Sequence, residues 1–260
     1  MINHIEDSLL IDRKVLVKSC QGRKILSYLD AYGTAYDFCR FYRNDKGCVI
    51  LLINSTMLLD GESFDPDELS MFVHMYRPFR IEGSQQGIKM LSGISGYRKL
   101  HRTIFQLVPD RSNTLDDDDI NTSPQLDDIY AILADGFPNL LDYPMWLADT
   151  SHRIRHGISR VFSYNGTTTA SVIYDINDYV LVGQVATLTE ARGSGYARKL
   201  LNWLAGYLDS QGKTSLLYAL DTRESFYREI GFKEYSSEYV LERIVDNNES
   251  AVKGKLTVND

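Results

Sequence analysis

The sequence predicts an α/β (α+β) fold, and three features support this prediction. The apolar, β-branched run Val180–Leu188 indicates a buried strand, and after a turn with two glycines the leucines recur at helical spacing. Asn165-Gly166 lies between two runs with strand character and is the strongest hairpin signal in the chain. A further buried-strand run, Ser215–Leu220, follows the predicted helix. We therefore expect a mixed sheet flanked by helices.

The composition is that of an ordinary globular protein, because 43% of the 260 residues are hydrophobic and 24% are charged. A net charge of −7 argues against general binding to nucleic acid or to an anionic membrane surface. The apolar runs are shorter than the roughly 20 residues of a membrane helix. Met1–Asp7 also lacks the charge pattern of a signal peptide. We therefore expect a cytoplasmic protein without membrane or nucleic-acid partners.

The three cysteines, Cys20, Cys39 and Cys48, do not have the spacing of a metal site. If two of them were paired, one thiol would be left over. We interpret all three as reduced thiols with a packing role, and we expect no metal ion.

Residues 1–108 are predicted to form a smaller amino-terminal α+β unit. It contains a helix over Gln21–Tyr32, a buried strand over Cys48–Ile53 and a second helix that begins near Pro66. Nothing in this unit indicates a particular chemistry. The segment Ser95–Leu100 is similar in sequence to Ser194–Leu200. One short similarity of this kind does not decide whether the chain contains an internal duplication.

Residues 109–124 are interpreted as an acidic linker, because Asp116–Asp119 form a run of like charges bounded by prolines. The alternative of a metal-binding loop is disfavoured, since the alternating ligands and glycine of a calcium loop are missing. A second unit is predicted over residues 125–246, and a polar tail over residues 247–260.

The turn between the predicted strand and helix is a candidate anion site. A helix begins with backbone N–H groups that lack partners at the positive end of its dipole, and glycines let a phosphate approach them. The turn fits the pattern [Q/R]-x-x-G-x-[G/A], and its residues are Arg192, Gly193, Ser194, Gly195, Tyr196 and Ala197.

This turn, its flanking elements and the phrase Phe226–Phe232 stand in one order that resembles the GNAT superfamily of acyl-CoA-dependent N-acetyltransferases. Phe226–Phe232 is similar to the F-Y-x-x-x-G-F phrase of that family. The resemblance covers residues 125–246 and implies a GNAT-type mixed twisted sheet. The amino-terminal unit is then either a degenerate GNAT-like module or an unrelated addition.

The resemblance also implies roles for particular residues. Val185, Ala186 and Thr187 would offer backbone groups to the pantetheine arm of acetyl-CoA, and the amides from Arg192 to Ala197 would hold its pyrophosphate. Tyr227 would protonate the departing thiolate, since expulsion of a thiolate by an amine needs a proton donor.

The sequence departs from the family in lacking a carboxylate between Val180 and Leu188 that could accept a proton from the attacking amine. A predicted helix over Trp146–Gly157 is the candidate source of a base, because it places Asp149 and His152 on one stripe. The alternative is a purely structural role, in which His and Arg side chains at the end of the helix interact favourably with the negative end of its dipole.

We therefore predict transfer of an acetyl group from acetyl-CoA to a primary amine of an unidentified small molecule. A non-catalytic acyl-CoA-binding regulatory protein is the alternative, and the missing carboxylate favours it. Longer acyl chains and a homodimer are left open.

Overall fold

The computed structural model describes residues 1–110, 112, 115–137 and 140–244 of the chain. Contacts divide the chain into two compact units. Among the described residues, the first comprises Met1–Arg102 and residues 237–244, and the second comprises Thr103–Ser236. The described residues form a mixed α/β structure with eight helices, so the predicted fold class is confirmed.

The first unit contains a short strand, two helices, a three-stranded meander, a crossover helix, a strand and a short helix. In chain order these elements are β1 (Asn3–Ile5), α1 (Arg13–Leu16), α2 (Cys20–Tyr32), β2 (Cys39–Arg43), β3 (Val49–Ile53), β4 (Thr56–Asp60), α3 (Pro66–Tyr76), β5 (Arg80–Gly83) and α4 (Gln85–Lys89). Strand β6 (Tyr97–Gln106) then carries the chain from the first unit to the second.

The sheet of the first unit is antiparallel from β1 to β4, and β5 adds to it in parallel after the crossover helix α3. Helix α3 begins where the sequence predicts, because the Asp65 side chain accepts a hydrogen bond from the Glu68 N–H and Pro66 occupies the first turn. Residues 239–242, near the end of the described chain, pair with β5 in antiparallel register.

A network of buried ion pairs also connects the end of the chain to the first unit. Glu82 contacts Lys24 Nζ at 2.8 Å and Arg102 at 2.9 Å, and Glu238 accepts hydrogen bonds from Arg102 and Gln21. Burial alone would raise the pKa of Glu82, but the neighbouring cations hold it well below its usual value. Removing one partner would leave a buried charge uncompensated, which is strongly destabilising.

The second unit repeats the order of elements of the first unit: strand, two helices, three strands, helix, strand, helix and strand. Its elements are β7 (Ile120–Asn121), α5 (Leu126–Gly136), α6 (Tyr143–Arg155), β8 (Arg160–Tyr164), β9 (Thr168–Ile176), β10 (Tyr179–Thr187), α7 (Tyr196–Ser210), β11 (Thr214–Leu220) and α8 (Asp221–Glu229), after which β12 (Lys233–Arg243) carries the chain into the first unit at Ser237. The predicted hairpin is formed by β8 and β9, with Asn165 and Gly166 both at positive φ in its turn.

Two apolar clusters cover opposite faces of the second unit's sheet. Two adjacent residues of β8 show this: Phe162 belongs to the cluster that includes α7, and Val161 belongs to the cluster that includes α5 and α6. Alternating side chains of a strand point to opposite faces, so both faces of this sheet are buried.

The observed units differ from the predicted boundaries at residues 108, 125 and 246. Strand β6 packs in the second unit from Thr103 onward, and residues 237–244 pack in the first. The stretch predicted as a linker contributes β7, which pairs with β8, and Asp117, which accepts a hydrogen bond from Trp203 Nε1 at 2.9 Å. At least one residue of the acidic run, Asp117, therefore makes a contact within the second unit. The predicted tail over residues 247–260 lies outside the described residues.

None of the described helices has both the length and the apolar character that a membrane-spanning helix requires.

Candidate functional site

Strand β10 is interrupted by a bulge at Gln184. Gly183 pairs with Ser171 and Ala186 with Thr169, so β10 has one residue more than β9 between these pairs. Gln184 adopts a φ of 51°, which lies in the left-handed region that residues with a Cβ rarely occupy. The Ser171 hydroxyl donates to Gln184 Oε1 at 3.1 Å and so holds the side-chain amide in place.

The bulge reverses the alternation of side chains along β10. Before it, Val180 and Val182 lie in the apolar cluster that includes α7. After it, Val185 packs against that same cluster, and Ala186 belongs to the cluster of α5 and α6. One extra residue has this effect because the side-chain period of a strand is two.

Strands β10 and β11 separate at the same place. Their parallel pairing runs from Tyr179 with Thr214 to Val182 with Leu217, although β10 continues to Thr187 and β11 to Leu220. Within the described chain, β11 therefore does not pair with residues 183–187. An extended ligand can add to an unpaired strand edge of this kind through main-chain hydrogen bonds.

The turn after β10 presents the first N–H groups of α7. A 3₁₀ turn over Thr189–Ala191 follows the strand, and Gly193 and Gly195 have φ values of 82° and 75° before α7 begins at Tyr196. Among the described residues, no acceptor is bonded to the backbone N–H groups of residues 193–197. These unpaired donors at a helix N-terminus form a site for an anion such as a phosphate.

The Arg192 side chain is engaged with the protein rather than with the predicted anion site. Its Nε donates to Thr187 O at 3.1 Å, and its terminal nitrogen contacts Asp135 Oδ2 at 3.1 Å. The same Asp135 carboxylate accepts hydrogen bonds from the Thr189 hydroxyl and N–H, which lower its pKa together with the charge of Arg192. Arg192 therefore ties the end of α5 to the turn.

Tyr227 is buried on α8 within the apolar cluster of the second unit. Its ring lies 5.6 Å from that of Phe105 and stacks on Phe232 at 6.3 Å. Burial raises the pKa of the phenol to about 12, and the charge of Arg223 only partly offsets this effect. The phenol is therefore a protonated hydrogen-bond donor at neutral pH.

Asp149 and His152 both lie on α6, as the sequence predicts, and both are half-buried. The helix is anchored by Trp146, in the cluster that contains Ala186, and by Arg153, which donates to Ile173 O at 2.9 Å. The His152 ring packs against that of His156 at 4.1 Å. A base on this helix therefore stays a prediction, and nothing in the described contacts links it to Tyr227.

Several features of the site were missed at the level of sequence. Gln184 carries no signal of its bulge, because glutamine is not a residue type that favours positive φ. Asp135 and Arg192 are 57 residues apart in the sequence, so their contact has no local signal. Thr103 and Phe105 precede the predicted second unit, yet both contact α8, Phe105 through the ring of Tyr227.

Comparison with known proteins finds a family model that matches this region. Residues 144–234 match the family model described as an acetyltransferase (GNAT) domain. No curated protein matches the chain in sequence.

Solved structures resemble the chain over much of its length. A GCN5-related N-acetyltransferase from Sphaerobacter thermophilus has a TM-score of 0.62 at 13% identity and covers 95% of this chain and 96% of its own. An acetyltransferase of the GNAT family from Colwellia psychrerythraea has a TM-score of 0.56 at 14% identity and covers 94% and 99%. A GCN5-related N-acetyltransferase from Kribbella flavida has a TM-score of 0.53 at 15% identity and covers 78% and 88%. At these identities the likeness is one of fold.

Proposed function

We propose that the protein transfers an acetyl group from acetyl-CoA to a primary amine, starting from the match of residues 144–234 to the model of a GNAT acetyltransferase domain. The observation that carries the proposal is the combination of two unpaired backbone surfaces. One is the separated edge of β10 after Val182, and the other is the set of free N–H groups from residue 193 to residue 197.

The two surfaces fit the two ends of coenzyme A. The pantetheine arm carries amide groups and can lie along residues 185–187 as an added strand. The pyrophosphate then meets the helix N-terminus, where Gly193 and Gly195 leave the approach open because no Cβ stands there. Val185, Ala186 and Thr187 contribute backbone groups, and Arg192 supports the turn through Asp135.

The reaction needs one donor for the oxyanion and one for the leaving group. The amine nitrogen attacks the thioester carbon and forms a tetrahedral oxyanion, which a backbone N–H at the β10 bulge is proposed to stabilise. The C–S bond then breaks, the thiolate leaves, and the nitrogen loses a proton. Tyr227 is the proposed donor to the sulfur, since it stays protonated at neutral pH.

The proton from the amine has no acceptor on β10, because residues 180–188 contain no carboxylate. Asp149 and His152 are the proposed alternatives, either directly or through water. An amine that is already neutral at the working pH would need no base before it attacks, and the proton that its nitrogen loses afterwards would pass to solvent water.

The first unit fits the proposal of a degenerate module that repeats the second. Its parallel strands β4 and β5 stay paired through Leu59 with Gly83, next to the end of β4 at Asp60. The N-terminus of its crossover helix is occupied by the Asp65 side chain and flanked by Asp67 and Glu68, which repel an anion. We therefore propose one acyl-CoA site per chain.

Titration calorimetry with acetyl-CoA tests the cofactor site, and we expect one site per chain. Thiol release in the presence of amines, amino acids and polyamines then tests the transfer. Absence of acetyl-CoA binding to the full chain would falsify the proposal. Thiol release without a new N-acetyl product, detected by mass spectrometry, would also contradict it.

A non-catalytic acyl-CoA-binding regulator is the second candidate, and the missing carboxylate on β10 favours it. It predicts binding of acetyl-CoA with no thiol release for any amine. A preference for a longer acyl-CoA would instead change the donor while keeping the transfer.

A further inference from the structure

Helix α8 carries a carboxylate one turn before Tyr227, and this carboxylate is bonded to a strand from the first half of the chain. The Thr103 hydroxyl donates to Glu224, and Arg228 donates to the other oxygen of the same carboxylate at 2.7 Å. Thr103 is buried, with 4% of its surface exposed.

We infer that Thr103 and Glu224 are positioning residues that hold α8 so that the phenol of Tyr227 faces the thioester sulfur. This inference rests on the proposed function, because it assigns a task to the same tyrosine.

The first step of the argument is that α8 needs an external anchor. It has only nine residues, and isolated helices of this length are marginal in water. No side-chain cap accepts a hydrogen bond at its start, where Leu220 is the N-cap residue. A partly buried hydrogen bond from Thr103 to Glu224 therefore limits both rotation and sliding of the helix.

The second step is that the same strand contacts Tyr227 itself. Thr103 and Phe105 are two residues apart and so lie on one face of β6. The Phe105 ring is 5.6 Å from the Tyr227 ring, and the Arg228 guanidinium lies 5.8 Å from the centre of the Phe105 ring. The strand therefore contacts α8 at Glu224, at Tyr227 and at Arg228.

The third step is that Glu224 is better suited to hold than to exchange a proton. The Thr103 hydroxyl lowers its pKa, burial opposes this, and Arg228 lowers it further. A carboxylate that stays ionised and bonded on both oxygens is a poor general base but a firm acceptor.

The test compares Thr103→Val, which has nearly the same shape but no donor, with Thr103→Ser, which keeps the hydroxyl. The assay uses acetyl-CoA and whichever of the tested amines, amino acids and polyamines gives the highest thiol release. Under these conditions we expect Thr103→Val to lower kcat about tenfold. The Kd for acetyl-CoA should change by less than about twofold, and Thr103→Ser should restore most of kcat. Thr34→Val is the control, because its hydroxyl bonds Glu6 O within the first unit.

A double-mutant cycle separates positioning from a general loss of structure. In the Tyr227→Phe background the proposed donor is absent, so Thr103→Val should cause no further loss of kcat. An equal loss in both backgrounds, or an unchanged kcat in the single variant, overturns the inference.

A second readout does not depend on turnover. The Tyr227 signal in ¹³Cζ-tyrosine NMR spectra, assigned by its loss in Tyr227→Phe, should shift in Thr103→Val and stay in place in Thr34→Val. If no amine releases thiol but the signal shifts, the proposed function fails while the positioning of Tyr227 holds. An unchanged signal contradicts the positioning whatever the activity.

Discussion

At Gly195 the backbone has a φ of 75°, immediately before the helix whose N–H groups form the candidate anion site. Gly212 offers a matched comparison, since its φ is 71° and, as at Gly195, an added Cβ meets nothing within 4 Å. The two glycines thus carry the same conformational cost on substitution. They differ in that only Gly195 lies beside the candidate site.

We expect Gly195→Ala and Gly212→Ala to lower the free energy of unfolding by a similar amount, about 1 kcal/mol. Only Gly195→Ala should weaken acetyl-CoA binding, by about tenfold or more, because its methyl group stands in the path of the phosphate. Urea unfolding and calorimetry measure the two effects. Equal affinities for acetyl-CoA in both variants would argue against a phosphate at this turn.

Tyr227 is the residue for which pH gives a prediction. Its pKa is raised to about 12, so the phenol keeps its proton below that value and loses it only above. Tyr227→Phe should lower kcat by about 10²-fold or more, with little change in the Kd for acetyl-CoA. Between about pH 7 and about pH 10, the wild-type rate should show no decline that is absent from Tyr227→Phe. Such a decline, measured by thiol release at a series of pH values, would exclude the phenol as the donor.

At the scale of elements, the site depends on how closely α5 approaches the bulged strand. Gly136 ends α5, and a Cβ built there would lie 3.1 Å from the Ala186 Cβ. A helix can come this near to a strand only through a residue without a side chain. Gly206, inside α7, has nothing within 4 Å of an added Cβ.

Alanine at these two helical glycines should therefore act in opposite directions. Gly136→Ala should destabilise the protein by about 1 kcal/mol or more, because α5 or β10 must move. Gly206→Ala should stabilise it by about 0.5 to 1 kcal/mol, since alanine has the higher helix propensity and fits without contact. Chemical unfolding of both variants measures the sign of each change in the free energy of unfolding. A stabilising Gly136→Ala would show that α5 and β10 are not in close contact at Gly136.

At the scale of the whole molecule, the chain crosses between its units twice. Strand β6 enters the second unit at Thr103, and β12 enters the first at Ser237, where Glu238 and Glu242 bond buried or half-buried arginines. A fragment cut at residue 125 would lack Thr103 and Phe105. The two units are therefore not independent segments of sequence.

A chain that ends at Ser236 should lose at least about 3 kcal/mol of stability, because Arg102 and Arg80 each lose a carboxylate partner and β5 loses a neighbour. A chain that ends at Ile244 keeps every contact named here and is the control. Urea unfolding of both chains, beside the full-length protein, gives the comparison. Equal stability of the two truncated chains would contradict a structural role for the last strand.

The carboxy-terminal site could be predicted in part because its signals are local. The glycines of the turn, the leucine spacing of α7 and the Asn165-Gly166 hairpin each depend on residues near one another in the chain. The bulge at Gln184 could not be predicted, since it depends on the register between β9 and β10. The ties of Arg192 to Asp135 and of Glu224 to Thr103 are likewise contacts between distant segments.

By itself, the sequence determined the α/β class, the glycine turn at the start of a helix and the place of Tyr227 on a short helix. Only the tertiary structure decided that β10 and β11 separate beside that turn, that β6 enters the second unit at Thr103 and that β12 enters the first unit at Ser237. The physical reason is range: turns, caps and helical periodicity arise from neighbouring residues. Strand register, the passage of β6 and β12 between the units and buried ion pairs depend on residues that come into contact only after folding.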